Sequence, residues 1–375
     1  MRIAVISRHF SRSGGGAESY AVALVQGLMP CHEVHVFSQA SNHPVAGVTY
    51  HTVTRLFDKP RWLNQAVFAF STWLQTRRGY DIVHSHENTW QGQIQTIHVR
   101  PVRHNLFFGS TGMRLFFRWV KVVTSPRLIT YLLLEGSRFR CVHSHHIVAT
   151  SDHLRQECEE AYPLCTGKIK VVTPGVNFPG LLPNRAEARQ ALGLEPSGRL
   201  VLFVANDFAR KGLVTLLKSL ALLPSAVSLA VVGNPDSAPK YRQQVLQLGI
   251  ADRVHFLGSL DNLSTAYAAA DCLAHPTLED SFAMVVLEAM AHGVPVIASG
   301  PDQCGISRQL KHGVNALLLL DPKDEHALTT QISSVLDNEV TAFGLREGGV
   351  TFAQQHTWDR VILEYEQLYS QVLRH

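Results

Sequence analysis

The stretch HPTLEDSFAMVVLEAMAHGVPVI, residues 275–297, is the most informative part of the chain. It reads as an acidic loop, an apolar helix, a Gly-Val-Pro turn and a short buried strand, an order typical of parallel α/β sheets. At helical spacing Glu288 shares a face with Met284, Val285 and Ala291. A carboxylate on an apolar face is costly without partners, and the two hydroxyls of a ribose would suit an acceptor-only group. A half-exposed glutamate on a surface helix is the simpler alternative.

Short apolar strands alternate with amphipathic helices along the chain, which predicts parallel sheets covered on both faces. At 375 residues the chain is too long for one ordinary core and predicts two domains. In the first half we expect strands at 2–7, 33–38, 48–53, 81–85, 94–98, 146–150 and 169–173, and helices at 17–29, 63–78, 128–140 and 152–161. In the second half we expect strands near 199–205, 227–232, 253–257, 271–274, 294–299 and 315–319, and helices near 211–222, 239–248, 262–269, 282–292 and 324–337. The Pro- and Gly-containing stretch 174–183 predicts a linker between the halves.

Composition places the chain among globular proteins, because 46% of its residues are hydrophobic and only 17% are charged. The six cysteines are scattered without a C-x-x-C pair, so we expect no disulfide framework and mostly reduced thiols in a cytoplasmic protein. The opening strand 2–7 is too short for a signal peptide, and no run of 18 apolar residues predicts a membrane span.

The net charge of +4 is unevenly distributed. Segment 100–140 has Glu135 as its single acid, and it interleaves aromatic and aliphatic side chains with Arg100, Arg103, Arg114, Arg118, Lys121, Arg127, Arg138 and Arg140. Basic and aromatic residues together suit an anionic membrane surface or an anionic lipid-linked substrate. A solvated basic helix with an ordinary core face is the alternative. Nucleic acid is not expected as a partner, because no nucleic-acid module accompanies the charge.

The stretch 275–297 resembles the E-x7-E signature of the retaining glycosyltransferases of family four, which have the GT-B fold. Members commonly read P-S-x-x-E-G-F-G-x-x-x-L-E-A-M-A-x-G-x-P-V. Asp280 stands at the first glutamate and Glu288 at the second, while Ser281 and Ala283 replace the two loop glycines. The neighbouring Glu279 could compensate for the shorter aspartate.

The resemblance implies an α/β protein with two Rossmann-like parallel-sheet domains that face each other across a cleft. The acceptor domain would comprise residues 1–173, joined by a C-terminal crossing helix within 357–375. The donor domain, which binds the nucleotide sugar, would comprise residues 174–356.

A glycine loop, SGGGAES at 13–19, follows the first strand. Glycines let backbone amides approach a ligand closely, and a helix N-terminus favours an anion. The loop is neither a dinucleotide fingerprint nor a Walker loop, and a plain tight turn is the alternative. It resembles the G-G-x-E loop of the family, which implies that Gly15 and Gly16 lie against the donor diphosphate.

A second element, NDFARKG at 206–212, follows the strand expected at 199–205. Arg210 and Lys211 fall at the predicted start of the next helix, where cations oppose the helix dipole unless an anion binds there. Two solvated loop charges are the alternative. The pair resembles the R-K pair of the family, which binds the nucleotide diphosphate.

His98 ends the strand expected at 94–98, and ligands of parallel sheets gather at the carboxyl ends of strands. It resembles a family histidine that faces the donor sugar, although a lone histidine is more often structural. His84 and His86 are two apart on a strand and could chelate a metal, but no third ligand follows at a recognisable spacing. No Asp-x-Asp pair occurs, so we expect no metal.

The resemblance implies transfer of a sugar from a nucleotide diphosphate sugar to an acceptor hydroxyl, with retention at the anomeric carbon. In the front-face version of this reaction the leaving diphosphate oxygen takes the acceptor proton, so the protein orients the reactants and stabilises charge. The expected catalytic residues are Arg210, Lys211, Asp280, Glu288 and His98. The expected donor-binding residues are Gly15, Gly16, Arg210, Lys211, Ser281, Phe282, Ala283, Met284 and Glu288.

Within this set Glu288 would bind the ribose, Asp280 and the backbone after it would orient the sugar hydroxyls, and His98 would contact the sugar or its scissile oxygen. No cofactor is expected beyond the substrate itself, a UDP-sugar carrying glucose or another hexose. The pattern looks most like the lipopolysaccharide core glucosyltransferases. It implies a glycan or lipid-linked acceptor and a cytoplasmic protein at the inner membrane face.

Three other functions compete with this one. Two carboxylates suggest a hydrolase, but eight residues of helix would place Asp280 and Glu288 roughly 12 Å apart, too far for either glycosidase geometry. A nucleotide-sugar epimerase shares the two-domain architecture and would epimerise the donor without transfer. A non-catalytic membrane-associated scaffold would bind no nucleotide diphosphate.

Overall fold

The computed structural model describes residues 1–11, 15–42, 44–57, 59–140, 145–260 and 262–374. The chain divides into two compact units, Met1–Pro174 with Trp358–His375, and Gly175–Thr357. The boundaries predicted from the sequence differ from this division by one residue at each junction, 173 against 174 and 356 against 357. Each unit has a parallel sheet and a core of its own.

The first unit is built on short strands. They are β1 (Arg2–Ile6), β2 (His9–Phe10), β3 (Glu33–Ser38), β4 (Ala40–Ser41), β5 (Thr49–Thr52), β6 (Ile82–Ser85), β7 (Ile94–Ile97), β8 (His146–Ala149) and β9 (Ile169–Val171). Seven strands form a parallel sheet in the order β5-β3-β1-β6-β7-β8-β9, and β2 pairs with β4. In β1, the residues from Ile3 to Ile6 are fully buried, because helices cover both faces of the sheet.

The described residues up to Pro174 form six α-helices. They are α1 (Gly16–Leu28), α2 (Arg61–Thr76), α3 (Val102–Phe107), α4 (Gly112–Val123), α5 (Pro126–Arg138) and α6 (Asp152–Ala161). Serines cap two of them, because the side chains of Ser125 and Ser151 accept from backbone amides of the first turn. Helices α3 and α4 were not predicted. The buried residue of α4 is Val122, so this helix has no ordinary core face for periodicity to reveal.

The second unit has a simpler strand order. Its strands are β10 (Arg199–Ala205), β11 (Val227–Gly233), β12 (Val254–Gly258), β13 (Cys272–His275), β14 (Val296–Ser299) and β15 (Leu317–Leu319). All pair in parallel in the order β12-β11-β10-β13-β14-β15. The order reverses at β10, as in the doubly wound nucleotide-binding sheets.

Within the described residues of the second unit, seven α-helices accompany this sheet. They are α7 (Arg185–Ala191), α8 (Leu213–Leu222), α9 (Ala238–Gln247), α10 (Ser264–Ala269), α11 (Met284–Ala291), α12 (Glu325–Asp337) and α13 (Glu339–Gln354). Helices α7 and α13 were not predicted. A capping box between Asn184 and Glu187 opens α7, beside the predicted linker. Three glycines weaken the helical pattern of α13 in the sequence. One of them is required, because a Cβ on Gly348 would lie 2.0 Å from the carbonyl oxygen of Val314.

The last helix, α14 (Trp358–Leu373), belongs to the first unit. Its buried face includes Tyr365 and Tyr369, and the Tyr365 hydroxyl lies 2.9 Å from that of Tyr20 on α1. The two helices approach closely at Gly27, where an added Cβ would lie 2.4 Å from Ile362. The first core therefore includes residues from both ends of the chain.

The described cysteines are mostly free thiols, as expected, with one exception. Cys165 is disulfide-bonded, whereas Cys31, Cys158, Cys272 and Cys304 are free. The scattered spacing in the sequence gave no indication of this bond, because folding alone brings distant thiols within bonding range.

Candidate functional site

The candidate site lies where the strand order of the second unit reverses. Strands β10 and β13 are neighbours, with Val201 paired to Cys272 and Leu202 to Leu273. Their carboxyl ends lead into the loops 206–212 and 276–283, which contain most of the predicted donor-binding residues. In doubly wound sheets, ligands bind at the carboxyl ends of the strands at such a reversal.

The two loops pack backbone against backbone. Gly212 has a φ of +79°, and a Cβ there would lie 1.9 Å from the carbonyl oxygen of Pro276, so only glycine fits. The amide of Leu278 donates to the carbonyl of Arg210 at 2.9 Å. The prediction that Arg210 and Lys211 begin the helix is wrong by a few residues, because α8 begins at Leu213 and the cations lie in the turn before it.

The two predicted cations have different surroundings. The Arg210 side chain is 52% exposed, and its Nε lies 3.8 Å from an oxygen of the equally exposed Asp207. The Lys211 side chain is only 14% exposed, with Nζ 2.5 Å from Asp280 Oδ2 and 3.0 Å from the Glu279 carbonyl oxygen. Lys211 therefore has a fixed position, while Arg210 keeps an exposed charge.

Lys211, Asp280 and His275 form a group that we name the charged cluster. Asp280 Oδ2 accepts from Lys211 and, at 3.2 Å, from His275 Nε2, while Oδ1 accepts from the amides of Phe282 at 3.3 Å and Ala283 at 2.9 Å. Burial raises the pKa of Asp280, but the His275 hydrogen bond and the Lys211 charge outweigh it and hold the pKa well below its usual range. Asp280 is therefore ionised.

His275, the last residue of β13, was missed by the sequence analysis. Burial lowers its pKa, and the hydrogen bond to Asp280 opposes this only in part, so the imidazole is neutral. Because Nε2 donates to a carboxylate, Nδ1 carries a lone pair, and this buried atom finds no hydrogen-bond partner among the described residues. The position of His275 at the end of a strand, directly before the acidic loop, was the sequence feature that could have identified it.

Glu288 lies on α11 and has a partner that the sequence did not indicate. The buried hydroxyl of Tyr267, on α10, donates to Glu288 Oε2 at 2.8 Å. Burial raises the pKa of Glu288, and the hydrogen bond from Tyr267 lowers it in part. Glu288 is of intermediate exposure, and the bond to Tyr267 gives it a fixed partner that the alternative of a half-exposed surface glutamate did not include. Among the other predicted donor-binding residues, the side chains of Phe282 and Ala283 are buried, while Ser281 and Met284 are partly exposed.

In the first unit, the predicted glycine loop is described only in part, since residues 12–14 lie outside the described ranges. Gly15 is the N-cap of α1 with a φ of 155°, and an added Cβ would lie 2.9 Å from Glu18 Oε2. Gly16 begins the helix and has open space around it. The space beside Gly16 is therefore open, whereas the Glu18 carboxylate lies close to Gly15.

His84, His86 and His98 form what we name the histidine column. The rings of His84 and His86 stack at 4.4 Å, those of His86 and His98 at 5.2 Å, and His86 Nδ1 lies 2.9 Å from His98 Nε2. His84 bonds Tyr369 at 2.8 Å and Thr96 at 2.7 Å. Burial, then neighbouring charge, lowers the pKa of all three imidazoles, and that of His86 to about 3.

The column argues against the metal alternative for His84 and His86. Both ring nitrogens of His84 are engaged in hydrogen bonds, and stacked rings do not direct their lone pairs to one point. Across the described ranges, no group of three histidine, cysteine, aspartate or glutamate side chains could hold a metal ion.

Two family models match the chain, "Glycosyltransferase Family 4" over residues 14–178 and "Glycosyl transferases group 1" over residues 184–349. A D-inositol 3-phosphate glycosyltransferase of Actinosynnema mirum is 31% identical over 316 residues, which are 75% of this chain and 70% of that protein. The chain belongs to the group 1 glycosyltransferases.

Other relatives of this glycosyltransferase match it over shorter stretches. The D-inositol 3-phosphate glycosyltransferase of Mycolicibacterium gilvum is 33% identical over 58% of this chain, which spans about half, 51%, of that protein. The lipopolysaccharide glucosyltransferase WaaG of Escherichia coli is 26% identical over 58% of each chain.

Solved structures establish the fold of this glycosyltransferase. The crystal structure of a WaaG involved in lipopolysaccharide biosynthesis matches with a TM-score of 0.84 at 19% identity, over 98% of this chain and 99% of that one. HepE of Anabaena in complex with UDP-glucose matches with a TM-score of 0.78 at 19% identity and the same coverage. The predicted family and the predicted GT-B class, with two Rossmann-like parallel-sheet domains, are confirmed.

Proposed function

We propose that this glycosyltransferase moves a hexose from a UDP-sugar to a hydroxyl of a glycan or lipid-linked acceptor, with retention and without a metal. The observation that carries the proposal is the placement of Arg210 and Lys211 at the carboxyl end of β10, where the strand order reverses. The similarity in fold to HepE, whose structure contains UDP-glucose, supports a uridine nucleotide as the donor.

The chemistry follows from the charges of this site. As the bond between the anomeric carbon and the diphosphate breaks, negative charge grows on the leaving oxygen, and Arg210 and Lys211 stabilise it. The acceptor oxygen attacks the same face of the sugar and gives its proton to that leaving oxygen. No carboxylate nucleophile is needed. The two cations supply the positive charge that a metal supplies in other transferases.

Glu288 completes the donor site in this proposal. Tyr267 holds one carboxylate oxygen, so the other is free to accept from a ribose hydroxyl while the side chain stays in place. By the family resemblance, the amides of Gly15 and Gly16 contact the diphosphate and neutral His98 contacts the sugar. These first-unit contacts stay predictions.

The decisive experiment uses Arg210→Ala and Glu288→Ala, with Lys218→Ala as the control. Lys218 is a cation of the same unit that lies on α8 and pairs with Glu325. Each site variant should lower the rate of sugar transfer at least about tenfold with excess EDTA present, while the control keeps the wild-type rate. Near-normal transfer by both site variants would contradict the proposal.

The same assay separates the competing functions. Donor epimerisation without transfer would identify an epimerase, and net release of free sugar with UDP would identify a hydrolase. The absence of binding to any nucleotide diphosphate would leave the non-catalytic scaffold. Loss of activity on adding EDTA, restored by a divalent cation, would refute metal independence.

The acceptor class is proposed from helix α4. This helix exposes an apolar surface made of Met113, Phe116, Phe117, Trp119, Val120 and Val123. At 100° per residue these side chains occupy one continuous arc, and Arg114, Arg118 and Lys121 flank it on one side. Such an arrangement suits a helix lying in the interface of an anionic membrane.

No helix of the described residues is long and apolar enough to cross a membrane. From the exposed apolar arc of α4 and its basic flank we propose peripheral binding at the inner membrane face, which would bring a lipid-linked acceptor such as the lipopolysaccharide core to the enzyme. The test is sedimentation with phosphatidylglycerol vesicles. Phe117→Ser should weaken binding, whereas Phe343→Ser on α13, with nearly the same exposure (63% and 62%), should not. Equal binding by both variants would remove the membrane proposal.

A further inference from the structure

We propose that His86 is a positioning residue for His98, which holds one ring nitrogen of His98 and leaves the other for a hydroxyl of the bound substrate. This inference rests on the proposed function, in which His98 contacts the sugar. It gives a role to His86, which the sequence analysis considered only as a metal ligand.

The first observation is the place of the two rings in the sheet. Strands β6 and β7 are parallel neighbours, with Ser85 paired to Gln95. His86 directly follows β6 and His98 directly follows β7, so both lie at the carboxyl ends of adjacent strands, where ligands of parallel sheets bind. His86 is 8% exposed, whereas His98 is only partly buried. His98 is therefore the ring of the pair that a substrate can reach.

The second observation is the use of the ring nitrogens. His86 Nδ1 lies 2.9 Å from His98 Nε2, so this nitrogen of His98 is engaged within the protein. His98 Nδ1 has no hydrogen-bond partner among the described residues. Nδ1 is therefore the nitrogen of His98 that remains for a substrate.

The third observation is the charge of the pair. Burial, and after it the charge of Arg138, lowers the pKa of His86 to about 3. Burial, followed by His86 and Arg138, also lowers the pKa of His98. Both rings are therefore neutral, and each has one N–H and one lone pair. One ring donates to the other, so the tautomer of His86 decides which nitrogen of His98 carries the proton. A neutral nitrogen suits a hydroxyl better than a charged phosphate oxygen.

The fourth observation is that the His86 ring is itself held in place. The amide of His86 donates to the Ile6 carbonyl at 3.0 Å, and its ring stacks on that of His84 at 4.4 Å. The ring of Tyr20 packs against His86 at 5.8 Å and against His98 at 5.0 Å. Buried contacts thus set the direction of the His86 ring, and the bond between the imidazoles orders His98 before the substrate binds.

The experiment compares sugar transfer by His86→Leu and His86→Asn. Leucine and asparagine branch at the same carbon, but only asparagine keeps a polar group where Nδ1 of His86 lies. The kcat of His86→Leu should fall at least about tenfold, on the scale of a misplaced reacting group, while His86→Asn keeps most of the wild-type rate. Equal losses in the two variants would overturn the inference. Thermal melting checks that both are folded, and His86→Met replaces His86→Leu if the latter is not.

The control is a second pair of histidines in the same sheet. His35 on β3 is buried, its Nδ1 lies 2.9 Å from His51 Nε2, and the two rings stack at 5.2 Å. These distances equal those between His86 and His98. His35→Leu should keep the wild-type kcat. A loss as large as that of His86→Leu would show that breaking any such pair lowers activity, which contradicts a specific positioning role.

A double-mutant cycle supplies the second readout. In the background of His98→Ala, His86→Leu and His86→Asn should have the same transfer rate, because the group through which His86 acts is absent. A difference between them that persists without His98 would show that His86 acts by another route.

Heteronuclear NMR spectra of the imidazole nitrogens, recorded without substrate, test the inference separately from the proposed function. The His98 signals are those lost in His98→Ala. Wild type should show His98 as one tautomer and His86→Leu as a mixture of two. One unchanged tautomer in His86→Leu would overturn the inference. If wild type transfers sugar from no nucleotide sugar, the proposed function fails, and these spectra still decide whether His86 fixes His98.

Discussion

The charged cluster of the second unit and the histidine column of the first unit both lie at or near the carboxyl ends of central strands, but they bury titratable groups in opposite ways. In the charged cluster, opposite charges face each other, with Lys211 at 2.5 Å from Asp280. In the histidine column, burial lowers the pKa of each imidazole, so the rings are neutral. The charged cluster therefore holds an ion pair, while the histidine column holds neutral rings.

This difference has energetic consequences. A buried ion pair is sensitive to the removal of either partner, because the remaining charge is left in a poorly solvated place. A column of neutral rings is sensitive to acid and to the loss of hydrogen-bond partners instead. The two regions should therefore fail under different perturbations, which the following experiments compare.

The largest effect should come from Lys211→Ala. This substitution leaves Asp280 without its cation, so the free energy of unfolding should fall by about 3 kcal/mol. Chemical denaturation measures it. Lys218→Ala, which breaks the more exposed pair with Glu325, should cost less than about 1 kcal/mol. Equal losses would mean that Asp280 is well solvated and that the charged cluster has no special sensitivity.

His84→Phe should have the next largest effect. Phenylalanine keeps the volume but leaves the buried hydroxyl of Tyr369 without the bond to His84, and Thr96 loses one of its partners. The free energy of unfolding should fall by about 2 kcal/mol. The control is His326→Phe on the exposed surface of α12, which should change it by less than about 0.5 kcal/mol. An unchanged stability in His84→Phe would show that these bonds contribute nothing.

The response to acid should distinguish the regions further. The imidazoles of the column have lowered pKa values, so below the ordinary value of 6.5 the unfolded chain binds more protons than the folded one. Stability should therefore fall as the pH drops from 6.5 towards the pKa of His86, about 3. The pKa of Asp280 is also lowered, so its contribution to stability is lost only as the pH falls below 3.8, the ordinary pKa of this carboxyl group.

His86→Gln tests this pH dependence. Between pH 6 and 4 the unfolded wild type binds a proton at His86 that the folded protein does not bind, and the variant lacks this difference. Its free energy of unfolding should therefore fall less steeply with decreasing pH, and the two slopes should differ by about 1.4 kcal/mol per pH unit. Denaturation curves at several pH values measure the slope. Parallel curves for wild type and His86→Gln would contradict neutral burial of this ring.

The smallest effect on stability should come from Arg210→Ala. Because Arg210 is half exposed and only 3.8 Å from Asp207 at its nearest, its loss should change the free energy of unfolding by less than about 0.5 kcal/mol. The same variant should show the lowered transfer rate described above. A large loss of stability would mean that Arg210 is a structural cation like Lys211.

Much of the fold could be predicted from the sequence, because apolar runs of four to seven residues between helical patterns specify parallel strands directly. The helices that were missed lack such a pattern. In α4 the apolar residues face outward, and in α13 glycines such as Gly348 mask a helix that needs them for close packing. The two loops of the candidate site were located by the Arg210-Lys211 pair and the E-x7-E resemblance, which are local features of the sequence.

The sequence by itself determined which loops are candidates for the donor site, because Arg210, Lys211, Asp280 and Glu288 stand at the motif positions that the family resemblance indicates. Only the tertiary structure decided what each side chain does: it paired Lys211 with Asp280, placed His275 and Tyr267 behind the two carboxylates, and stacked the three imidazoles. The physical reason is that burial and the partners of a charge set its pKa and its free lone pairs. Those partners come from strands and helices that are distant in sequence.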